Sequence, residues 1–71
     1  MKDFNEAVRY FRRFENSASI ERIIDRLYDN ATDDQARFMI MSAADHRRAE
    51  IANRRLFDPG AVPGWAWAAV E

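Results

Sequence analysis

No glycine or proline occurs before Pro59, so the first 58 residues lack the two residue types that most strongly interrupt regular backbone structure. β-Branched residues are few, and apolar and polar positions nowhere alternate with the period of two that a half-buried strand requires. The chain is therefore expected to be all-α. At 71 residues it is expected to form a single helical domain, residues 1–71, around one small core. Apolar residues make up 48% of it, which is too rich for a disordered segment. No apolar run approaches the ~20 residues needed to cross a bilayer. Residues 1–6 contain no apolar stretch of the kind a secretory signal needs. The absence of cysteine excludes disulfides and thiolate metal sites and points to a reducing, cytoplasmic compartment.

Helical spacing predicts four helices, the third long and central, the last short. Helix one is expected over residues 3–14, where Phe4, Val8, Phe11 and Phe14, with Ala7, form one apolar stripe. Asn16, Ser17, Ala18 and Ser19 are a cap-forming run that breaks this pattern. Helix two follows over residues 19–29, with Ile20, Ile23, Ile24 and Leu27 facing inward. Thr32, Asp33, Asp34 and Gln35 fit a capping box, with Thr32 as the N-cap and Gln35 at N3. Helix three is expected from residue 33 to about residue 56, ~35 Å of helix at 1.5 Å per residue. Its first half, residues 38–44, is apolar on all sides and reads as buried; its second half turns basic with Arg47, Arg48, Arg54 and Arg55. Asp58, Pro59 and Gly60 make a turn. Residues 63–70 form a short closing helix, with Trp65 and Trp67 expected to cap the core.

Catalytic chemistry finds no foothold. Asp45 and His46 are the only carboxylate–imidazole neighbours, and adjacent helical side chains diverge by ~100°. No serine or threonine is marked as a nucleophile, and no Gly-rich loop could cradle a phosphate. The chain reads as a non-enzyme with no metal, no cofactor and no small-molecule substrate. His46 reads as a half-buried histidine bonded to backbone, and Met39 and Met41 as core filler.

Two acidic features remain. Phe38, Met41 and Asp45 fall at i, i+3 and i+7, which puts a carboxylate in line with an apolar face. Burying an unpaired carboxylate is costly, so Asp45 must be bridged internally, by Arg48, Arg12 or Arg13, or must face a partner. On helix two, Glu21, Asp25 and Asp29 form a stripe at i, i+4, i+8, flanked by Arg22 and Arg26. That stripe is either a solvated face or a docking strip for a basic helix. The formal charge of −1 excludes a bulk polycation but conceals segregation. Residues 1–20 carry +1, residues 21–34 carry −3, residues 35–57 carry +3 and the rest −2.

The run Ser42-Ala43-Ala44-Asp45-His46-Arg47-Arg48-Ala49-Glu50 resembles the Hha/YmoA family of small nucleoid-associated expression modulators. So do Arg55-Leu56-Phe57-Asp58, Val62-Pro63, Trp67 and Val70 that follow. The Thr32-Asp33-Asp34 start of helix three and the Leu-Phe-Asp turn look closest to its Cnu (YdgT) branch. The resemblance implies a four-helix, non-enzymatic domain in the cytoplasm, associated with the nucleoid. It implies a partner, the N-terminal dimerisation region of an H-NS- or StpA-type protein, whose silencing of acquired and virulence-type genes the chain would enhance. Acidic partner contacts carry over to Asp45 and Glu21. A further acidic position of some members falls on Ala18, which shifts that contact toward Asp25. A DNA-facing basic surface carries over to Arg12 and Arg13, with DNA reached mostly through the partner. Two other readings stand beside this one. The first is an autonomous DNA-binding protein using Arg47, Arg48, Arg54 and Arg55. The second is an antitoxin-like partner of a small protein.

Overall fold

Each of the three long helices begins at a side-chain cap. The structure, a computed structural model, describes residues 3–70. Asp3, Asn16 and Asp33 sit in extended backbone and accept from the N–H groups of Glu6, Ser19 and Ala36, at 2.8, 2.8 and 2.7 Å. Such caps satisfy amide groups that the first helical turn leaves without partners. The helices are α1 (Phe4–Phe11), α2 (Ser17–Asn30), α3 (Asp34–Asn53) and α4 (Gly64–Trp67). The all-α, four-helix expectation holds, with α3 long and central and α4 short.

The helix ends differ from expectation for identifiable reasons. Asn16, not the serines, caps α2, so that helix starts two residues earlier than expected. Asp33 rather than Thr32 caps α3; its carboxylate offers a charged acceptor at the positive end of the helix dipole. Helix α1 stops at Phe11, because Arg13 and Phe14 turn back with three-residue hydrogen bonds to Tyr10 and Phe11. The Phe14 carbonyl is then held by Arg47 Nε at 2.9 Å. Helix α3 ends at Asn53, because Arg54 adopts the left-handed conformation, φ 54°.

Ala7, Val8 and Phe11 of α1 and Ile20 and Ile24 of α2 form the buried core with Ile40, Ala43 and Ala44 of α3. Phe14 and Tyr10 pack their rings edge-on at its margin. Alanines at positions 43, 44 and 49 let neighbouring backbones approach α3 closely. Helix α3 contacts α1, α2 and α4, and its length nearly matches the 33 Å long axis of the molecule.

Two expectations about the core are corrected. Phe38 is 75% exposed, because α1 and α2 cover other faces of α3 and leave its own open. The tryptophans do not cap the core either; Trp65 and Trp67 are 61% and 37% exposed. Ala66 is buried instead, since a four-residue helix reaches α3 closely only through a small side chain. Asn53 secures that contact, its Nδ2 donating to the Ala49 and Ala66 carbonyls at 2.8 and 2.9 Å.

Candidate functional site

The second half of α3 divides into a buried ionic cluster and an exposed acidic rim. Glu50 anchors the cluster and is 1% exposed. Its carboxylate accepts from Arg12 Nη2 at 2.8 Å and Nε at 3.3 Å, from Arg47 Nη1 at 3.2 Å and from the Phe57 backbone N–H at 2.9 Å. His46 Nε2 lies 3.2 Å from Glu50 Oε2 and 3.0 Å from the Phe57 carbonyl. With two acceptors in reach, Nε2 is the nitrogen that carries hydrogen. Arg12 Nη2 also donates to the Phe57 carbonyl at 2.9 Å. Burial alone pushes the Glu50 carboxyl up. The hydrogen bonds from Arg12, Phe57 and Arg47, with the charge of Arg12, outweigh it and hold the group below the ordinary carboxylate value. The Glu50 hydrogen bond in turn raises Arg12 against the opposing effect of burial, helped by the charges of Glu50 and Asp58.

This cluster fixes the end of α1, the middle of α3 and the segment after α3 in one arrangement. His46 is more deeply buried than expected, and its backbone hydrogen bond is present. The imidazole pairs with a carboxylate one helical turn on, Glu50, and not with its neighbour Asp45. Sequence reasoning missed Glu50. The i, i+3 and i, i+4 spacing of Arg47 and His46 to Glu50 was a usable signal, whereas Arg12 is 38 positions away.

The two arginines of the basic pair expected at the end of α1 are placed differently. Arg12 is partly buried, its guanidinium bonded to Glu50, while Arg13 is exposed and lies over the Tyr10 ring, 5.4 Å from its centroid.

Asp45 lies on the rim, its side chain 51% exposed. Of the alternatives left open for it, Arg48 is the internal partner: Nη1 donates to Oδ1 at 2.7 Å. One side of Asp45 borders a depression of about 420 Å³ with Phe4, Ser42, His46 and Trp67. On the other side, Arg48 borders a cleft of about 300 Å³ with Glu21 and Val70. Arg48 thus lies between Asp45 and Glu21, which α3 and α2 bring to the same side. Asp25 and Asp29 continue along α2, exposed, and neither Arg22–Asp25 nor Arg26–Asp29 closes into an ion pair.

Fold and site together define a small all-α protein whose chemistry lies in charged surfaces. Among the described residues no group of His, Cys, Asp or Glu could hold a metal ion, and no helix is long and apolar enough to cross a membrane. The family model for haemolysin expression modulating protein (HHA) matches residues 9–68, and the chain belongs to this Hha/YmoA family. The chain is 44% identical over 62 residues to proteins named OriC-binding nucleoid-associated protein in Escherichia coli (strain UTI89) and Shigella sonnei. It is 42% identical, again over 62 residues, to the transcription modulator YdgT of Salmonella choleraesuis. Each match covers 86% of this chain and 87% of the relative. These relatives agree with the Cnu (YdgT) branch. No solved structure matches the chain. The family's role is nucleoid-associated modulation of transcription, and its members are non-catalytic regulators.

Proposed function

We propose that the chain binds the N-terminal dimerisation region of an H-NS- or StpA-type protein through Asp45, with Glu21 and Asp25 alongside. In this reading it enhances silencing by that protein, works in the cytoplasm at the nucleoid, and reaches DNA mostly through its partner. The observation that carries the proposal is the Asp45–Arg48 pair. A half-exposed carboxylate held by a single side chain through one oxygen keeps its second oxygen open, so an incoming arginine can pair with Asp45 beside Arg48. Glu21 and Asp25 are exposed and have no ion-pair partner among the described residues, so they are open to basic side chains on the same partner.

Calorimetric titration with an H-NS N-terminal fragment, in the absence of DNA, tests this. Truncating one member of a desolvated charge pair costs about 2–5 kcal/mol, so Asp45→Asn should weaken binding at least tenfold. Equal affinity of wild type and Asp45→Asn would remove Asp45 from the interface.

A second reading has one observation in its favour. Arg54 and Arg55 are exposed, and Arg55 lies over the Phe57 and Trp65 rings at 5.0 and 5.9 Å. An aromatic-backed cation of this kind suits direct contact with DNA, and origin DNA is the target by which two relatives are named. Gel-shift of an origin fragment by the chain alone at low salt supports this reading; the absence of any shift discards it.

A further inference from the structure

Gln35, Phe38, Ser42 and Asp45 recur at three- and four-residue intervals, which puts them on one face of α3. Phe38, at 75%, is the most exposed large apolar side chain among the described residues. Two depressions flank this stripe and share Phe4 and Ser42. The larger, about 560 Å³, is lined by Asp3, Phe4, Asp33, Phe38 and Met39. The smaller contains Asp45 and Trp67. They join into one trough beside α3, apolar in its middle and acidic at both ends. Asp33, whose carboxylate caps α3, stands at one end with the fully exposed Asp34 beside it, and Asp45 stands at the other. The nearby cations leave the trough acidic. Arg37 is 3.9 Å from Asp34, but its guanidinium lies over Tyr28 of α2, and Arg48 holds only one Asp45 oxygen.

We infer that this trough seats one amphipathic helix of a protein partner, apolar on its contact side and basic at both ends. The inference rests on the reading of Asp45 above and adds Phe38 and the carboxylates at the amino-terminal end of α3. The three- and four-residue spacing of the stripe is that of a helix–helix seam. Asp34 and Asp45 are eleven positions apart, ~16 Å along the helix, so a helix lying alongside needs its basic residues about three turns apart. Nucleic acid does not fit, because its phosphates would meet carboxylates at both ends. A second copy fits poorly. Antiparallel pairing opposes Asp45 to Asp33 and Asp34, and parallel pairing opposes Asp45 to Asp45; both set like charges together.

The test is calorimetry of Phe38→Ser, Asp34→Asn, Asp45→Asn and Leu56→Ser with the H-NS N-terminal fragment. Leu56 is a second exposed apolar residue, 62% exposed and outside the trough, and serves as the control. Phe38 is too exposed to be needed for folding, so its variant should melt with the wild type. Burying a phenylalanine in an interface predicts a roughly tenfold to hundredfold loss of affinity for Phe38→Ser. Asp34→Asn should lose a few-fold, and Leu56→Ser should bind normally. Wild-type affinity in Phe38→Ser with weakened Asp45→Asn overturns the trough and leaves the Asp45 reading standing. Wild-type affinity in both overturns the two together. Sedimentation of the free chain as a dimer that Phe38→Ser dissolves also overturns the inference, by making the occupant a second copy.

Discussion

A carboxylate without solvent costs several kcal/mol unless its charge and lone pairs are met, and Glu50 meets that condition with Arg12, Arg47, His46 and the Phe57 amide. Removing one partner leaves the others uncompensated. Glu50→Ala should therefore cost about 3–5 kcal/mol, a large share of what a domain of this size possesses, read as a lower urea midpoint by circular dichroism. The cluster also sets an acid response. The folded Glu50 titrates below its ordinary value of 4.5, so its contribution is complete above that value. It is lost as pH falls through the lower, folded value. Melting temperatures measured from neutral pH downward should fall more steeply below about pH 4.5 in wild type than in Glu50→Gln. Arg12→Ala should lower stability at every pH where Glu50 is ionised, while Arg13→Ala should leave it unchanged. The same residues mark what sequence can reveal. The helical intervals from His46 and Arg47 to Glu50 are readable without coordinates. Arg12 and the Phe57 backbone join only through the tertiary fold.

At the scale of elements, the starts of α1 and α3 are more legible than their stops. A start carries a side chain that does the capping, and Asn16 and Asp33 sit within one to three positions of where pattern alone puts the boundary. The stop of α3 carries no such mark, because Arg54 takes the left-handed position where glycine usually stands. Its N–H bonds the Ile51 carbonyl at 3.2 Å, and the Arg55 N–H bonds that of Glu50 at 3.1 Å, closing the helix over the buried cluster. A non-glycine residue there costs about 1–2 kcal/mol. Arg54→Gly should accordingly raise stability by about 1 kcal/mol, measured by urea unfolding. The attachment of α4 is equally hidden, since it depends on one amide bridging two helices. Asn53→Ala removes both hydrogen bonds to Ala49 and Ala66. Local detachment of α4 should follow, seen as red-shifted tryptophan emission before global unfolding. The exposure of Phe38 is hidden in the sequence, because an apolar run shows no face to solvent until the neighbours of the helix are known.

For the molecule as a whole, the ionic core changes the count of cations available to DNA. Arg12 and Arg47 are committed to Glu50, and Arg48 to Asp45. Arg54 and Arg55 remain exposed after α3, where Glu15 borders the same depression, and Arg9 and Arg13 are exposed beside Glu6 along α1. A surface with three or four free cations neutralises few phosphates, and each released counterion contributes about 0.9 to the slope of log affinity against log salt. The chain alone should bind duplex DNA weakly, with a slope no steeper than about −3 to −4 in fluorescence anisotropy. Replacing Arg54 and Arg55 by alanine should flatten that slope by about 2, while Arg12→Ala should not change it beyond its effect on folding. A markedly steeper slope would mean that the cluster opens on DNA and gives up Arg12 and Arg47. Binding would then have to release Glu50, and Glu50→Gln would strengthen it.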